Sequence, residues 1–264
     1  MKIFLGKIVV FAFIFSFGVI GLILSQSFIM KRGNYYTLPK GTDGIILGHS
    51  HASCAYNDTI IDGIVNLSEP MEGYFYSYFK LKQVLRHNKL KYVFVEYSNN
   101  QITKYSDDRI YGAYIGNQLP KMMPFVGPKD LLKIALKNPI GFAKAVPVSL
   151  KMSFDFLSKD RNNYILSNWS DDKISNHVLE KKSKKKKSEL NNASKTGNIK
   201  NNYSVSDLNL FYLAQIAKIC EDSQVQLFFL RAPVSQYYNY PMEATFKDLL
   251  EKEFPSVPFI DLKD

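Results

Sequence analysis

Residues 45–58 read IILGHSHASCAYND, and this stretch decides how the chain folds. A short apolar run ends at Gly48, and two residues later Ser50 stands between two histidines. An apolar run of this length bounded by glycine is typical of a buried strand. A serine directly after such a strand lies on a strand-to-helix turn, where backbone N–H groups can stabilise an oxyanion. Ser50 is therefore predicted to be either a nucleophile or a simple turn residue.

The same alternation of short apolar runs and helical segments continues along the chain. Strands are predicted at 44–48, 63–68, 91–98, 226–233 and 257–262. Helices are predicted at 74–88, 206–222 and 242–254. Short apolar strands separated by helices indicate a three-layer α/β domain, with a parallel sheet covered by helices on both faces.

Polar residues follow several of the predicted strands. In parallel α/β sheets the functional site lies at the carboxyl ends of the strands, so these residues are the candidates for a site. They are Ser50, Asn66, Ser68, Asn99, Asn100 and Arg231.

A long segment, residues 101–205, interrupts the alternation. Its first part has apolar stretches of helix length divided by prolines at positions 124, 128, 139 and 147, which predicts a small helical insertion. Its later part, 171–202, has nine lysines against four acidic residues and few apolar ones. This composition predicts a solvated, mobile loop. Contact with anionic lipid headgroups or an acidic polysaccharide is the alternative.

Residues 8–30 contain no charge over 23 positions, which is long enough to cross a hydrocarbon core of about 30 Å. A cleavable signal peptide is disfavoured, because the apolar run is long and no A-x-A-like site follows. Lys2 and Lys7 precede the run and Lys31 and Arg32 follow it, so the charges leave the orientation open. A short tail before a large domain favours a cytoplasmic N-terminus and an extracytoplasmic domain.

The net charge of +10 comes from two segments. Residues 1–40 have five basic and no acidic residues, the Lys-rich segment adds another five charges, and the remainder is neutral. A nucleic-acid-binding protein would need a basic face on its folded part, so nucleic acid is not an expected partner. Cys54 and Cys220 are too few to identify the compartment, and the sequence leaves them either paired or as free thiols. The predicted organisation is an anchor at 1–30, a linker at 31–43 and an α/β domain at 44–264.

The block LGHSHASCAYND (47–58) resembles the first block of the SGNH/GDSL hydrolase superfamily, in which a strand ends in Gly-Asp-Ser. It is most similar to the membrane-anchored branch associated with envelope polysaccharides, which is related to alginate-type O-acetyltransferases and D-alanyl-lipoteichoic acid assembly proteins. With the strand KYVFVEYSNN (91–100), the resemblance covers about residues 41–100 and 203–264. It implies an SGNH-type, flavodoxin-like domain that hydrolyses or transfers acyl esters on an acylated glycan, without metal or cofactor.

The resemblance also implies roles for individual residues. Ser50 would be the nucleophile and its N–H an oxyanion donor, and Ser68 would supply the second donor. Asn99 or Asn100 would be the third oxyanion element. His49 stands where the family has an aspartate. The expected accessory residues at this edge are His49, His51, Asn66 and Arg231.

The family's base lies on a D-x-x-H motif after the last core strand, and the sequence ends at Asp264 without such a motif. His49 and His51 flank Ser50 too closely in sequence to approach its hydroxyl easily from the far side. These two, together with His87 and His177, are expected to be structural or solvent-facing. We therefore expect a truncated, inactive chain, with a natural member that has lost its base as the alternative. The competing hypothesis is a non-catalytic glycan-binding or envelope-assembly protein, since the segments 69–79 and 235–241 are rich in aromatic residues that stack on sugars or pack a core.

We expect the protein to fractionate with membranes and its domain to be cut by protease added outside the cytoplasmic membrane, because residues 8–30 are uncharged. Protease treatment of intact and lysed spheroplasts measures this accessibility. Protection of the domain in intact spheroplasts would reverse the orientation, and a soluble, unprocessed product would contradict the anchor.

Overall fold

The computed structural model describes residues 2–33, 36–158, 204–233 and 242–263. The Lys-rich segment 171–202, His177 and the aromatic segment 235–241 lie outside the described residues. The described elements, in chain order, are α1 (Lys2–Arg32), β1 (Gly44–Leu47), α2 (Ser50–Ala55), β2 (Ile64–Asn66), α3 (Tyr74–His87), β3 (Tyr92–Glu96), a 3₁₀ helix (Lys104–Arg109), α4 (Ile115–Met122), α5 (Pro128–Lys137), α6 (Pro139–Ser158), α7 (Asp207–Asp222), β4 (Gln226–Arg231), α8 (Glu243–Glu253) and β5 (Phe259–Asp261).

These elements fall into two compact units. The sheet unit contains the five strands, α2, the first part of α3, α7 and α8. The helical unit contains α1, the last part of α3 and the insertion helices α4 to α6.

The five strands form one sheet in the order β2-β1-β3-β4-β5, and every neighbouring pair is parallel. Ile45 pairs with Val65 on one side and with Val93 on the other, which places β1 inside the sheet. The parallel α/β class is therefore confirmed. Each predicted strand exists within two residues of its predicted ends, because apolar runs bounded by turn residues are a strong signal.

Helix α2 packs on one face of the sheet. Ala52 and Tyr56, in and directly after α2, form a buried cluster with Ile46 of β1 and Leu230 of β4. A strand-to-helix turn was expected at Ser50, but the length of this six-residue helix was not predicted.

Helix α8 packs on the opposite face. Tyr97 stacks on Phe229 of β4 with ring centroids 5.2 Å apart, and it contacts Phe246 of α8 at 4.4 Å. The Tyr97 hydroxyl also donates a hydrogen bond to the Phe246 carbonyl at 3.0 Å. This face of the sheet is therefore covered by an aromatic cluster.

The insertion leaves and re-enters the sheet unit at one point. Thr103 and Val205 form an antiparallel bridge, and the Ser206 N–H donates to the Ile102 carbonyl at 2.8 Å. The two ends of the segment between Thr103 and Val205 thus lie side by side.

The prolines of the insertion act in two ways. Pro128 and Pro139 begin α5 and α6, where the missing N–H costs no helical hydrogen bond. Pro147 lies inside α6, so the prediction that it divides the apolar stretch was wrong. Burial of α6 through Val146 and Ser149, on either side of Pro147, offsets the lost bond.

Helix α1 is long and apolar enough over Phe4–Arg32 to span a membrane, with a mean hydropathy of 2.7. Its buried side chains near the C-terminal end form one stripe that includes Ile23 and Gln26. The Gln26 amide donates to the hydroxyls of Ser149 at 2.9 Å and Ser153 at 2.7 Å, which joins α1 to α6.

The two cysteines are not paired. Cys54 is exposed on α2 and Cys220 is buried on α7. Burial raises the pKa of the Cys220 thiol to about 12, so this thiol stays protonated at neutral pH.

Candidate functional site

Several polar residues lie together at the carboxyl ends of β1 and β3. In this strand order the chain connections leave β1 and β3 in opposite directions, so the ends of these two strands form the switch point of the sheet, where sites of α/β proteins usually lie. His49, Ser50 and His51 directly follow β1, while Glu96 ends β3 and Ser98 follows it. The sequence therefore places two histidines, two hydroxyls and a carboxylate at the switch point of the sheet.

The carboxylate of Glu96 is fully buried and holds the turn between β1 and α2. Its Oε2 accepts the N–H groups of His49 at 2.9 Å and Ala52 at 3.3 Å. Its Oε1 lies 3.4 Å from Nε2 of His49 and 3.8 Å from Nδ1 of His51. A Cβ atom at Gly48 would lie 2.5 Å from Oε2 and 2.8 Å from the Cβ of Ala52, so only glycine allows this approach.

The imidazole of His49 is buried and its tautomer is fixed by its contacts. Nδ1 accepts the N–H of His51 at 3.1 Å and thereby caps α2. Because Nδ1 is an acceptor, a neutral ring carries its proton on Nε2. Nε2 faces Oε1 of Glu96 and lies 3.2 Å from Oγ of Ser98. His49 thus caps the helix at the position where the SGNH pattern has an aspartate.

Ser50 and His51 are the accessible members of the group. Ser50 is exposed at the first position of α2. The His51 side chain is 29% exposed, and its ring meets that of His49 edge to face with centroids 4.5 Å apart. The described part of the sheet unit contains two histidines, His49 and His51. Since His49 is buried, His51 is the histidine that reaches solvent.

Three of these side chains have the spacing of a metal site. His49, His51 and Glu96 offer ligand atoms within 4.8 Å of one another. A metal on Nε2 of His49 would need that nitrogen unprotonated while Nδ1 accepts the His51 N–H, which leaves the ring without a proton. The geometry therefore fits a hydrogen-bonded cluster better than a metal centre.

The expected second oxyanion donor is engaged within the protein. Ser68 is buried, and its N–H donates to Oδ1 of Asn66 at 3.0 Å. Asn66 in turn donates from Nδ2 to the carbonyls of Ala52 at 3.0 Å and Tyr56 at 2.8 Å. Asn66 therefore ties the last turn of α2 to β2, and an oxyanion role for Ser68 requires its bond to Asn66 to open.

Asn99 and Arg231 belong to a second network. Asn99 donates to Glu243 at 2.9 Å, and the buried Arg231 donates from Nη1 to both oxygens of the same carboxylate at 3.0 Å. Nη2 of Arg231 lies 3.1 Å from Asp261. The carbonyl of Asn100 accepts two hydroxyl hydrogen bonds in the loop that follows β3. The contacts of Arg231 with Glu243 and Asp261 hold β4, α8 and β5 together.

Glu96, Glu243 and Asp261 were not among the predicted site residues. The signal for Glu96 is its position within the apolar strand VFVEY, since a carboxylate inside a buried strand must have strong partners. Glu243 and Asp261 carry no such signal, because helix starts and strand ends are often acidic.

Comparison with known protein families, with characterised proteins and with solved structures finds no match to this chain.

Glu96→Gln should lower the free energy of unfolding by about 1–3 kcal/mol, because the amide NH₂ replaces an acceptor that faces buried donors. Urea unfolding of the full chain in detergent, followed by circular dichroism, measures this change. Glu221→Gln is the matched control, since Glu221 is exposed on α7. Equal midpoints for the two variants would contradict the structural role of Glu96.

Glu243 should make stability depend on pH. Burial raises the pKa of Glu243, but the hydrogen bonds from Asn99 and Arg231 and the charge of Arg231 outweigh it, so the pKa lies below its ordinary value. The stabilisation that the Glu243 carboxylate contributes is therefore complete above the pKa of glutamate in the unfolded chain, about 4.3. It is lost as the pH falls through the lower pKa of Glu243 in the folded chain.

The difference in unfolding free energy between the native chain and Glu243→Gln should thus be larger at pH 7 than at pH 3. Urea titrations at both pH values measure it, with Glu251→Gln, at an exposed position of the same helix, as control. If the difference in unfolding free energy did not change with pH, the charge of the Glu243 carboxylate would not contribute to stability.

Proposed function

We propose that the protein is a membrane-anchored serine esterase or O-acyltransferase of SGNH type that acts on acylated glycans of the cell envelope. In this proposal the sheet unit lies outside the cytoplasmic membrane. The supporting observation is the exposed Ser50 at the switch point of the sheet, beside a histidine whose ring faces a buried carboxylate.

The proposed reaction begins at the hydroxyl of Ser50. Its oxygen attacks the acyl carbonyl, and His51 takes the hydroxyl proton at Nε2. Since Nδ1 of His51 faces Glu96, the carboxylate stabilises the imidazolium that forms. The N–H of Ser50 is the proposed oxyanion donor. His51 gives this proton to the departing alcohol oxygen as the ester bond breaks, which leaves the acyl group on Ser50. His51 then takes a proton from water or a glycan hydroxyl as that oxygen attacks the acyl carbon, and returns it to the serine oxygen as the acyl group is released.

His51 is the base in this proposal because His49 is committed elsewhere. Both ring nitrogens of His49 face protein groups, and the ring is buried. A proton transferred from substrate requires an accessible nitrogen, which His51 can offer. His51 thus takes the role of the base, a role that the sequence did not predict for any residue.

A non-catalytic envelope glycan-binding or assembly protein with the same fold is the second candidate. One observation favours it. The Ser68 N–H, the donor that the resemblance implies for the oxyanion, is already bonded to Asn66. A binding module needs no oxyanion site.

Ser50→Ala should lower turnover of an acyl ester such as p-nitrophenyl acetate, or of an O-acetylated glycan, by several orders of magnitude. His51→Gln should do the same, because the hydroxyl then lacks its base. Ser53→Ala, on the same helix and half-buried, is the control that should retain activity.

Three outcomes separate the proposals. Activity that survives Ser50→Ala contradicts the nucleophile, and activity that survives His51→Gln contradicts the base. A native chain without turnover that binds glycan as well as its Ser50→Ala variant supports the binding module.

A further inference from the structure

The helical unit contains an apolar groove of about 390 Å³ between α1, α5 and α6. This volume lies within the range of about 300–1,000 Å³ that is usual for ligand sites. Apart from Ser16, its lining is apolar. The lining includes Val19 and Ile23 of α1, Leu131, Leu132 and Ala135 of α5, and Phe142 of α6.

One wall of the groove is the helix that is able to span a membrane. The lining residues of α1 fall between positions 16 and 24, inside the uncharged run 8–30. In a bilayer, apolar space beside such a helix is accessible to lipid chains. The groove therefore adjoins the helix surface that would contact lipid.

The neighbouring surface of α5 and α6 is also suited to a membrane. Leu132, Leu136 and Ile140 are 60%, 75% and 70% exposed, respectively, within nine positions. Leu131 and Ile134 of the same segment point inward and are buried, so α5 has apolar residues on both its inner and its outer side. Large apolar side chains so close together on a water-facing surface are unusual and mark an interaction site.

Lysines accompany these exposed apolar residues. Lys129, Lys133 and Lys137 lie on α5 and Lys144 lies on α6, all with exposed side chains. The two helices together have five lysines and two aspartates. A short helix with exposed leucines and lysines is typical of the membrane interface, where lysine stems lie along apolar surface and their ammonium groups reach headgroup phosphates.

We infer that the hydrocarbon core is crossed by the N-terminal part of α1, up to about Ile23, beyond which the α1 side chains Gln26 and Met30 are buried in the protein. In this arrangement α5 and the start of α6 lie in the membrane interface, and the groove binds one acyl chain of a bilayer phospholipid. The lysines of α5 contact the phosphates of the surrounding headgroups. This binding site is independent of the proposed reaction at Ser50.

A photoreactive phospholipid tests the groove directly. The full chain is reconstituted in phosphatidylcholine–phosphatidylglycerol vesicles that contain a lipid with a diazirine in its acyl chain, and cross-linked peptides are identified by mass spectrometry. Cross-links should appear on residues 131–135 and at Phe142 as well as on α1. Ala135→Phe, which fills the groove, should reduce the α5 and α6 cross-links several-fold. Ala143→Phe, at an exposed position of α6 that does not line the groove, should not.

Two results would overturn the inference. Cross-links confined to α1 would show that α5 and α6 do not meet lipid. Cross-links on α5 that Ala135→Phe leaves unchanged would show that lipid contacts the surface but not the groove.

Quenching by lipids with brominated acyl chains is the second measurement, and it does not depend on the folding of Ala135→Phe. With the one tryptophan of the chain removed by Trp169→Phe, a tryptophan is placed by Leu132→Trp or, as control, by Phe211→Trp on the exposed surface of α7. The fluorescence of the α5 tryptophan should be quenched at least twofold more strongly. Equal quenching at the two positions would refute the membrane position of α5.

Discussion

The buried carboxylate of Glu96 is the interaction on which the candidate site depends. A carboxylate that loses its water is stable only when nearby donors replace that water, and here two backbone N–H groups and the ring of His49 surround it. These donors belong to the segment after β1. Glu96 therefore fixes the path of the chain that carries Ser50, and the absence of a side chain at Gly48 lets the two strand ends come close enough for this contact.

The same constraint explains a helix that local sequence alone would not form. Six residues are too few for a stable isolated helix, because the first turn costs more conformational entropy than its hydrogen bonds return. Glu96 and His49 satisfy N–H groups at the start of α2, and Asn66 satisfies carbonyls at its end. The exposed serine is thus presented by a segment whose two ends are each held by polar side chains from, or next to, neighbouring strands.

Much of the sheet unit was predictable, because the strands are apolar runs with clear turn residues and the longer helices have apolar periodicity. The extent of helix α2 was not, since its stability comes from residues distant in sequence. The grouping of His49, Ser50 and His51 at the sheet edge followed from the strand–turn pattern. The roles of Asn66 and Arg231 could not be predicted. An amide or guanidinium at a strand end gives the same sequence pattern whether it binds a ligand or another part of the chain.

The antiparallel bridge between Thr103 and Val205 has a consequence for how such a chain can evolve. Where the two ends of an inserted segment are joined by hydrogen bonds, the entropic cost of closing the segment rises only with the logarithm of its length. For residues added outside the packed helices α4 to α6, each doubling of loop length costs only about 0.6 kcal/mol. Related chains can therefore differ greatly in the size of this segment while their five strands keep the same order and register.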